Sequence, residues 1–219
     1  MVVALNRRSL SLAIASLALT RAAQASEPEG QAVPIELFDE ARALGAAVPV
    51  GSARGDVTLI EFFDYNCPYC RRSAQDIPAV LAGDPDLDYL LVNFAVLGPA
   101  SVQATRVALG YAHLYGPRGY LAFHLAMFGV RGGKDGGAAL DVAERLGGER
   151  TRLAAASDSA RTTERMKQAL RVGSSLGLSA TPAFVIGPAA YVGALGLERK
   201  TGTCRSGPSL STRSFRASW

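Results

Sequence analysis

Residues 57–72 read VTLIEFFDYNCPYCRR, and this stretch decides more of the fold than any other. Its first seven residues are apolar at almost every position and rich in β-branched and aromatic side chains. Such a run predicts a strand buried on both faces rather than one that alternates between core and solvent. Asp64, Tyr65 and Asn66 end it. Asn66 is a good helix N-cap, and Pro68 then falls in a first helical turn, where its missing N–H costs nothing. The helix is expected to run to about Ala82, with a bend near Pro78.

Outward from this unit the chain keeps the same grammar. Gly83, Asp84 and Pro85 close the helix, and residues 89–96 (YLLVNFAV) read as a second buried strand. Upstream, Ile35, Leu37, Ala41 and Leu44 stand at helical spacing within residues 35–46, and Pro49, Gly51 and Gly55 punctuate a turn. Residues 26–34 are polar and read as loose chain. From Pro99 to about Leu176 the signals are helical, in four amphipathic stretches broken at 132–137 and 147–148. Residues 183–186 and 191–194 then read as two short strands around Gly187 and Pro188, a hairpin. Strand, helix, strand, helical block, strand, strand is the order of an α/β layer fold with helices packed on a central sheet.

The ends of the chain say where it goes. Arg7 and Arg8 form a positive region, residues 9–19 are apolar and uncharged, and Ala23–Gln24–Ala25 supply a small-x-small cleavage site. Residues 1–25 therefore read as a secretory signal peptide, with Ser26 the first mature residue. The apolar run is too short for a bilayer span. Of the formal net charge of +4, residues 1–25 contribute +3 and residues 199–219 contribute +5, so residues 26–198 carry −4. A mildly acidic body excludes a nucleic-acid surface, which needs a basic face on the fold. The 219 residues suffice for one well-buried domain.

Three cysteines are too few for a disulfide-stapled scaffold: Cys67 and Cys70, two residues apart, and Cys204 near the end. The position of the pair matters more than its spacing. A cysteine at a strand-to-helix junction meets the unpaired N–H groups and positive end of the helix dipole, which favour thiolate, the attacking species. Arg71 and Arg72 lie one turn in and add to that stabilisation. Cys67 is expected to attack a substrate sulfur and Cys70 to resolve the mixed disulfide. The competing reading is half of a metal site. Zinc needs four ligands, and beyond this pair the chain offers Cys204, His113 and His124, with no second close pair. Both histidines read as ordinary helix residues, and no metal or cofactor is expected.

The segment 62–71, FFDYNCPYCR, resembles the active-site segment of DsbA-like periplasmic thiol–disulfide oxidoreductases, and Thr181–Pro182–Ala183–Phe184 resembles that family's cis-proline loop. The likeness covers residues 34–197. It implies a thioredoxin-like fold with a helical domain inserted between the second and third core strands. The parts would be a signal peptide (1–25), an N-terminal extension (26–56), the first half of the core (57–98), the helical insertion (99–177), the second half (178–197) and an atypical basic tail (198–219). The resemblance further implies a cis Thr181–Pro182 bond beside Cys67, where the backbone would pair with an extended substrate chain. It gives Glu61, beneath the pair, the role of moving the resolving thiol's proton. Tyr69, Thr181 and Pro182 become substrate contacts, and Asn66 and Pro68 structural residues of the site.

Two departures bear on redox poise. Tyr69 stands where strongly oxidising members often have histidine, and Thr181 before the proline is more typical of isomerase-leaning relatives, so a milder poise is expected. The implied partners are unfolded or misoxidised exported proteins and a membrane oxidase or reductase, for a periplasmic monomer. A peptide-binding folding module, or a periplasmic copper- or zinc-binding protein using the same cysteines, are the alternatives. Residues 200–219, KTGTCRSGPSLSTRSFRASW, lack helical periodicity and resemble the translation of a shifted reading frame rather than the amphipathic helix with which the family closes. Cys204 there reads as an incidental thiol.

Overall fold

The computed structural model describes residues 28–206, with side chains to residue 202. The segment read as a signal peptide lies outside the described residues, as do residues 207–219 and the side chain of Cys204. Strands β1 (Gln31–Ala32), β2 (Ala47–Pro49), β3 (Val57–Phe63), β4 (Leu87–Asn93), β5 (Ala183–Ile186) and β6 (Ala189–Val192) form one sheet in the order β1-β6-β5-β3-β4-β2. The helices are α1 (Ile35–Arg42), α2 (Pro68–Gly83), α3 (Pro99–Gly129), α4 (Gly136–Arg145), α5 (Arg150–Ser157), α6 (Ala160–Ser175) and α7 (Leu197–Ser206). Four of them, α3 to α6, enter between β4 and β5. The thioredoxin-like layout with a helical insertion between the second and third core strands is therefore the observed one.

Strand β3 lies inside the sheet, parallel to β4 and antiparallel to β5. Successive side chains alternate between its faces. Leu59 and Phe63 join the cluster that holds Cys67, Cys70 and Ile77 of α2 with the apolar faces of α3 and α4. Ile60 and Phe62 join Ala41 of α1 with Met166 and Val172 of α6 on the other side. Two covered faces explain the unbroken apolar run. Glu61, between Leu59 and Phe63, is thereby aimed at the α2 side.

Several boundaries differ from the sequence reading, each for a local reason. A strand, β2, occupies residues 47–49 where a turn is expected. It is an edge strand on β4, the position that tolerates Pro49. Strand β4 covers 87–93 rather than 89–96, because Asp64 captures the N–H groups of Val96 and Leu97 and draws that segment out of the ladder. The two helical stretches expected around 102–114 and 120–128 are one helix, α3, kinked where Gly116 takes a φ of 70° before Pro117. Proline disfavours helical backbone in its predecessor, and glycine has no Cβ to oppose a positive φ. The hairpin strand falls at 189–192, not 191–194, because Gly187 and Pro188 alone make the turn. The tail from residue 198, expected to lack a helix, begins within helix α7 (Leu197–Ser206), which packs against α2 and β3. Its inward anchor is Lys200, a charged side chain that no apolar periodicity reveals.

Candidate active site

The turn between β3 and α2 is fixed by polar side chains rather than by apolar packing. The buried Asp64 carboxylate accepts from the backbone N–H groups of Asn66, Val96 and Leu97 at 2.8, 2.9 and 3.0 Å, and from Ser101 Oγ at 2.7 Å. Asn66 is not the helix cap. Its amide nitrogen donates to Ser101 Oγ and to the Lys134 carbonyl, while its oxygen accepts from the Lys134 N–H at 2.8 Å. Arg71 donates to the Val130 carbonyl. The active turn is thus tied to both ends of α3 in the inserted block.

With Asn66 occupied, the N-cap of α2 is Cys67, whose sulfur accepts from the Cys70 N–H at 3.4 Å. Pro68 follows at the first helical position. Donors converge on this sulfur. The Cys70 thiol, the Thr181 hydroxyl and the N–H groups of Cys70 and Tyr69 together bring the Cys67 pKa down to about 6, against the opposing effect of burial. The thiol also donates to the Thr181 carbonyl at 3.1 Å, a bond that favours its protonated form and is outweighed. Cys70 is fully buried, and burial, with the shared hydrogen bond to Cys67, drives its pKa far upward. One sulfur is a ready thiolate and its neighbour a reluctant one.

Glu61 lies on the floor of this site, 1% exposed. Burial raises its pKa, and the nearby Lys200 ammonium with hydrogen bonds from Ser73 and Tyr89 opposes that rise. The Tyr89 hydroxyl donates to the Glu61 carboxylate. Its field reaches Cys70. The carboxylate is therefore within electrostatic reach of the resolving thiol.

The Thr181–Pro182 peptide bond is cis, and both residues are buried, with the Thr181 carbonyl against the Cys67 sulfur. Tyr69 projects into solvent, 52% exposed, with the Arg72 guanidinium 4.9 Å over its ring. Val96, Leu97 and Val102, exposed near the Asp64 turn, extend an apolar rim. His113 is exposed and lies apart from the pair. His124 is buried against Phe63, Tyr65 and Phe128. Among the described residues no group of three or more His, Cys, Asp or Glu side chains is arranged to hold a metal ion. No helix among them is long and apolar enough to cross a membrane.

Sequence reasoning missed Asp64, Ser73, Tyr89, Ser101, Lys134 and Lys200. Asp64 carried a signal, an acid directly after a buried strand. The others carried none, because each becomes relevant through a contact between distant segments.

Comparison with known proteins agrees with this geometry. The thioredoxin family model matches residues 44–201. A thioredoxin-like oxidoreductase from Silicibacter pomeroyi DSS-3 is similar at 31% identity, covering 76% of this chain and 96% of that one, with a TM-score of 0.70. The thiol-disulfide exchange protein alpha-DsbA2 from Wolbachia pipientis shares the fold at 22% identity, covering 78% and 91%, with a TM-score of 0.72. The catalytic domain of Proteus mirabilis ScsC shares it at 22% identity, covering 78% and 95%, with a TM-score of 0.69. No sequence among curated proteins matches.

Proposed function

We propose that this chain, which belongs to the thioredoxin family of thiol–disulfide oxidoreductases, exchanges disulfides with exported proteins in the periplasm through a mixed disulfide on Cys67. The observation that carries this reading is the opposed pair of thiols at the start of α2. Cys67 is held near a pKa of 6 by the Cys70 thiol and neighbouring donors, and Cys70 is held protonated by burial.

As a reductant, the Cys67 thiolate attacks one sulfur of a substrate disulfide, forming a Cys67–substrate disulfide and releasing the other sulfur as thiolate. Cys70 gives its proton to the Glu61 carboxylate and attacks the Cys67 sulfur. The mixed disulfide breaks, the Cys67–Cys70 disulfide forms, and the second substrate sulfur leaves as a thiolate that takes up a proton. The substrate gains two electrons and the protein loses them. As an oxidant, the steps run backwards: a substrate thiolate attacks Cys67, Cys70 departs and takes its proton from Glu61, and a second substrate thiol displaces Cys67. The low pKa of Cys67 makes it a good leaving group in that direction. Isomerisation uses the first step alone, with the substrate's own thiol resolving the mixed disulfide.

Substrate chain would lie along Thr181–Pro182 over the rim that includes Tyr69, Val96 and Leu97. A membrane oxidase or reductase of the exchange type would restore the pair. The test is a Cys70→Ala variant expressed with its export signal. It is expected to accumulate reducible adducts with exported proteins, and the additional change Cys67→Ala to abolish them. Absence of adducts would overturn the proposal. Acid quench and thiol alkylation then decide direction: an oxidised pair marks a disulfide donor, a reduced pair an isomerase or reductase.

A further inference from the structure

The C-terminal helix delivers a cation to the floor of the redox site. Lys200 is 0% exposed, an unusual state for a lysine. Its ammonium donates to Ser73 Oγ at 2.9 Å and to Asp76 Oδ2 at 2.9 Å, and lies 5.3 Å from the centre of the Phe184 ring. Phe184 is the cross-strand partner of Glu61, and the Ser73 hydroxyl is close enough to the Glu61 carboxylate to favour its ionised form. One hydroxyl group therefore separates the Lys200 ammonium from Glu61. A surface ion pair with Asp76, whose side chain is 31% exposed, would not require the ammonium to be buried. Desolvating it is costly, and the return is proximity to the buried carboxylate.

The groups that act on Glu61 come from four elements. Tyr89 faces it from β4, Cys70, Ser73 and Asp76 from α2, Tyr120 through its field from α3, and Lys200 from α7. Within this set the ammonium is the positive charge. Burial and Asp76 favour the neutral acid, which cannot accept a proton from Cys70. Lys200 works against both.

Resting on the reading of Glu61 as proton acceptor for Cys70, we infer that Lys200 is a positioning residue that favours the ionised form of Glu61 beside the resolving thiol. Docking of α7 is then a condition for rapid resolution of the mixed disulfide. The C-terminal helix acts on the chemistry as well as covering the sheet.

The test follows collapse of a preformed Cys67–glutathione disulfide to the Cys67–Cys70 disulfide and free glutathione, by rapid acid quench across pH, in the mature chain. Lys200→Met keeps the length of the stem without the charge, and replacing a buried ion pair by an apolar group is generally tolerated. It is expected to move the acid limb of the resolution rate up by about one pH unit, so that resolution below the limb slows about tenfold. Lys200→Gln, which keeps a donor to Ser73, is expected to do the same and decides the matter if the methionine variant fails to fold. Lys200→Arg is expected to restore the limb. An unmoved limb in the folded neutral variants, with Glu61→Gln abolishing it, overturns the role of Lys200 alone. A limb that survives Glu61→Gln overturns the proton-acceptor reading beneath it.

Discussion

Cys67 and Thr181 are 114 residues apart in the chain and 3.1 Å apart in the fold, sulfur to carbonyl oxygen. That contact joins the β5 approach to the start of helix α2 and sets the Cys67 sulfur among donors and an acceptor. The balance favours thiolate.

The alkylation rate of the reduced protein is expected to follow a single titration with its midpoint near pH 6, since the Cys70 thiol and the other donors hold Cys67 there. Cys70→Ala removes the largest stabilising donor, and the midpoint is expected to rise toward the ordinary thiol range, about 8.5. Iodoacetamide kinetics against pH read both values.

The same depressed pKa predicts how stability changes with pH. Below about pH 6 Cys67 is protonated in both folded and unfolded chains and adds nothing. As pH rises from 6 toward 8 the unfolded thiol stays protonated while the folded one ionises, so the reduced form gains stability. The oxidised form has no such thiol, and Glu61 is common to both. Denaturant titrations are expected to show the reduced form gaining about 2 kcal/mol on the oxidised form over that interval, a figure discounted for partial screening by solvent. Equal pH dependence of the two forms would contradict the assignment.

Asp64 accepts four hydrogen bonds from three segments. Asp64→Ala leaves buried donors unmatched and is expected to cost about 2–4 kcal/mol in urea unfolding, with Asp64→Asn milder. Loosening of the turn should also raise the Cys67 midpoint.

Tyr69 offers the thiolate no charge. Tyr69→His is expected to raise the reduction potential by about 30 mV for each pKa unit of added thiolate stabilisation. The native protein should lie below the strongest oxidants. Equilibration with glutathione buffers measures both, and a native potential among the strongest oxidants would defeat the milder-poise expectation.

His124 is fully buried with Nδ1 unpartnered, and burial takes its pKa down to about 3. The unfolded histidine binds its proton near pH 6.5, so folding loses stability as pH falls from there toward 3. His124→Phe, which preserves the edge-on aromatic contacts, is expected to remove that part of the acid sensitivity, up to about 4 kcal/mol at the low end. Acid unfolding of the two proteins side by side gives the difference.

Local chemistry reached far in this chain. The apolar run VTLIEFF calls for burial on both faces, and a proline just past the end of such a strand suits the first turn of a helix, so the strand, the helix and the paired thiols between them were readable from residues 57–72 alone. Glu61 was visible as a charge inside that run. Two-residue hairpins, kinks and edge strands were less so, because proline and glycine signal a break without specifying its geometry.

What the tertiary structure decided is the state of each group. Asn66 lost the cap to Cys67 because Ser101 and Lys134 engage its side chain, 35 and 68 residues away. Helix α7 has weak apolar periodicity and docks through Lys200, whose partners Ser73 and Asp76 lie 127 and 124 residues earlier. Sequence patterns record periodic burial along one element. The pKa of a thiol or a carboxylate depends on donors and charges a few ångströms away in any direction. Those neighbours come from segments that only the folded chain brings together.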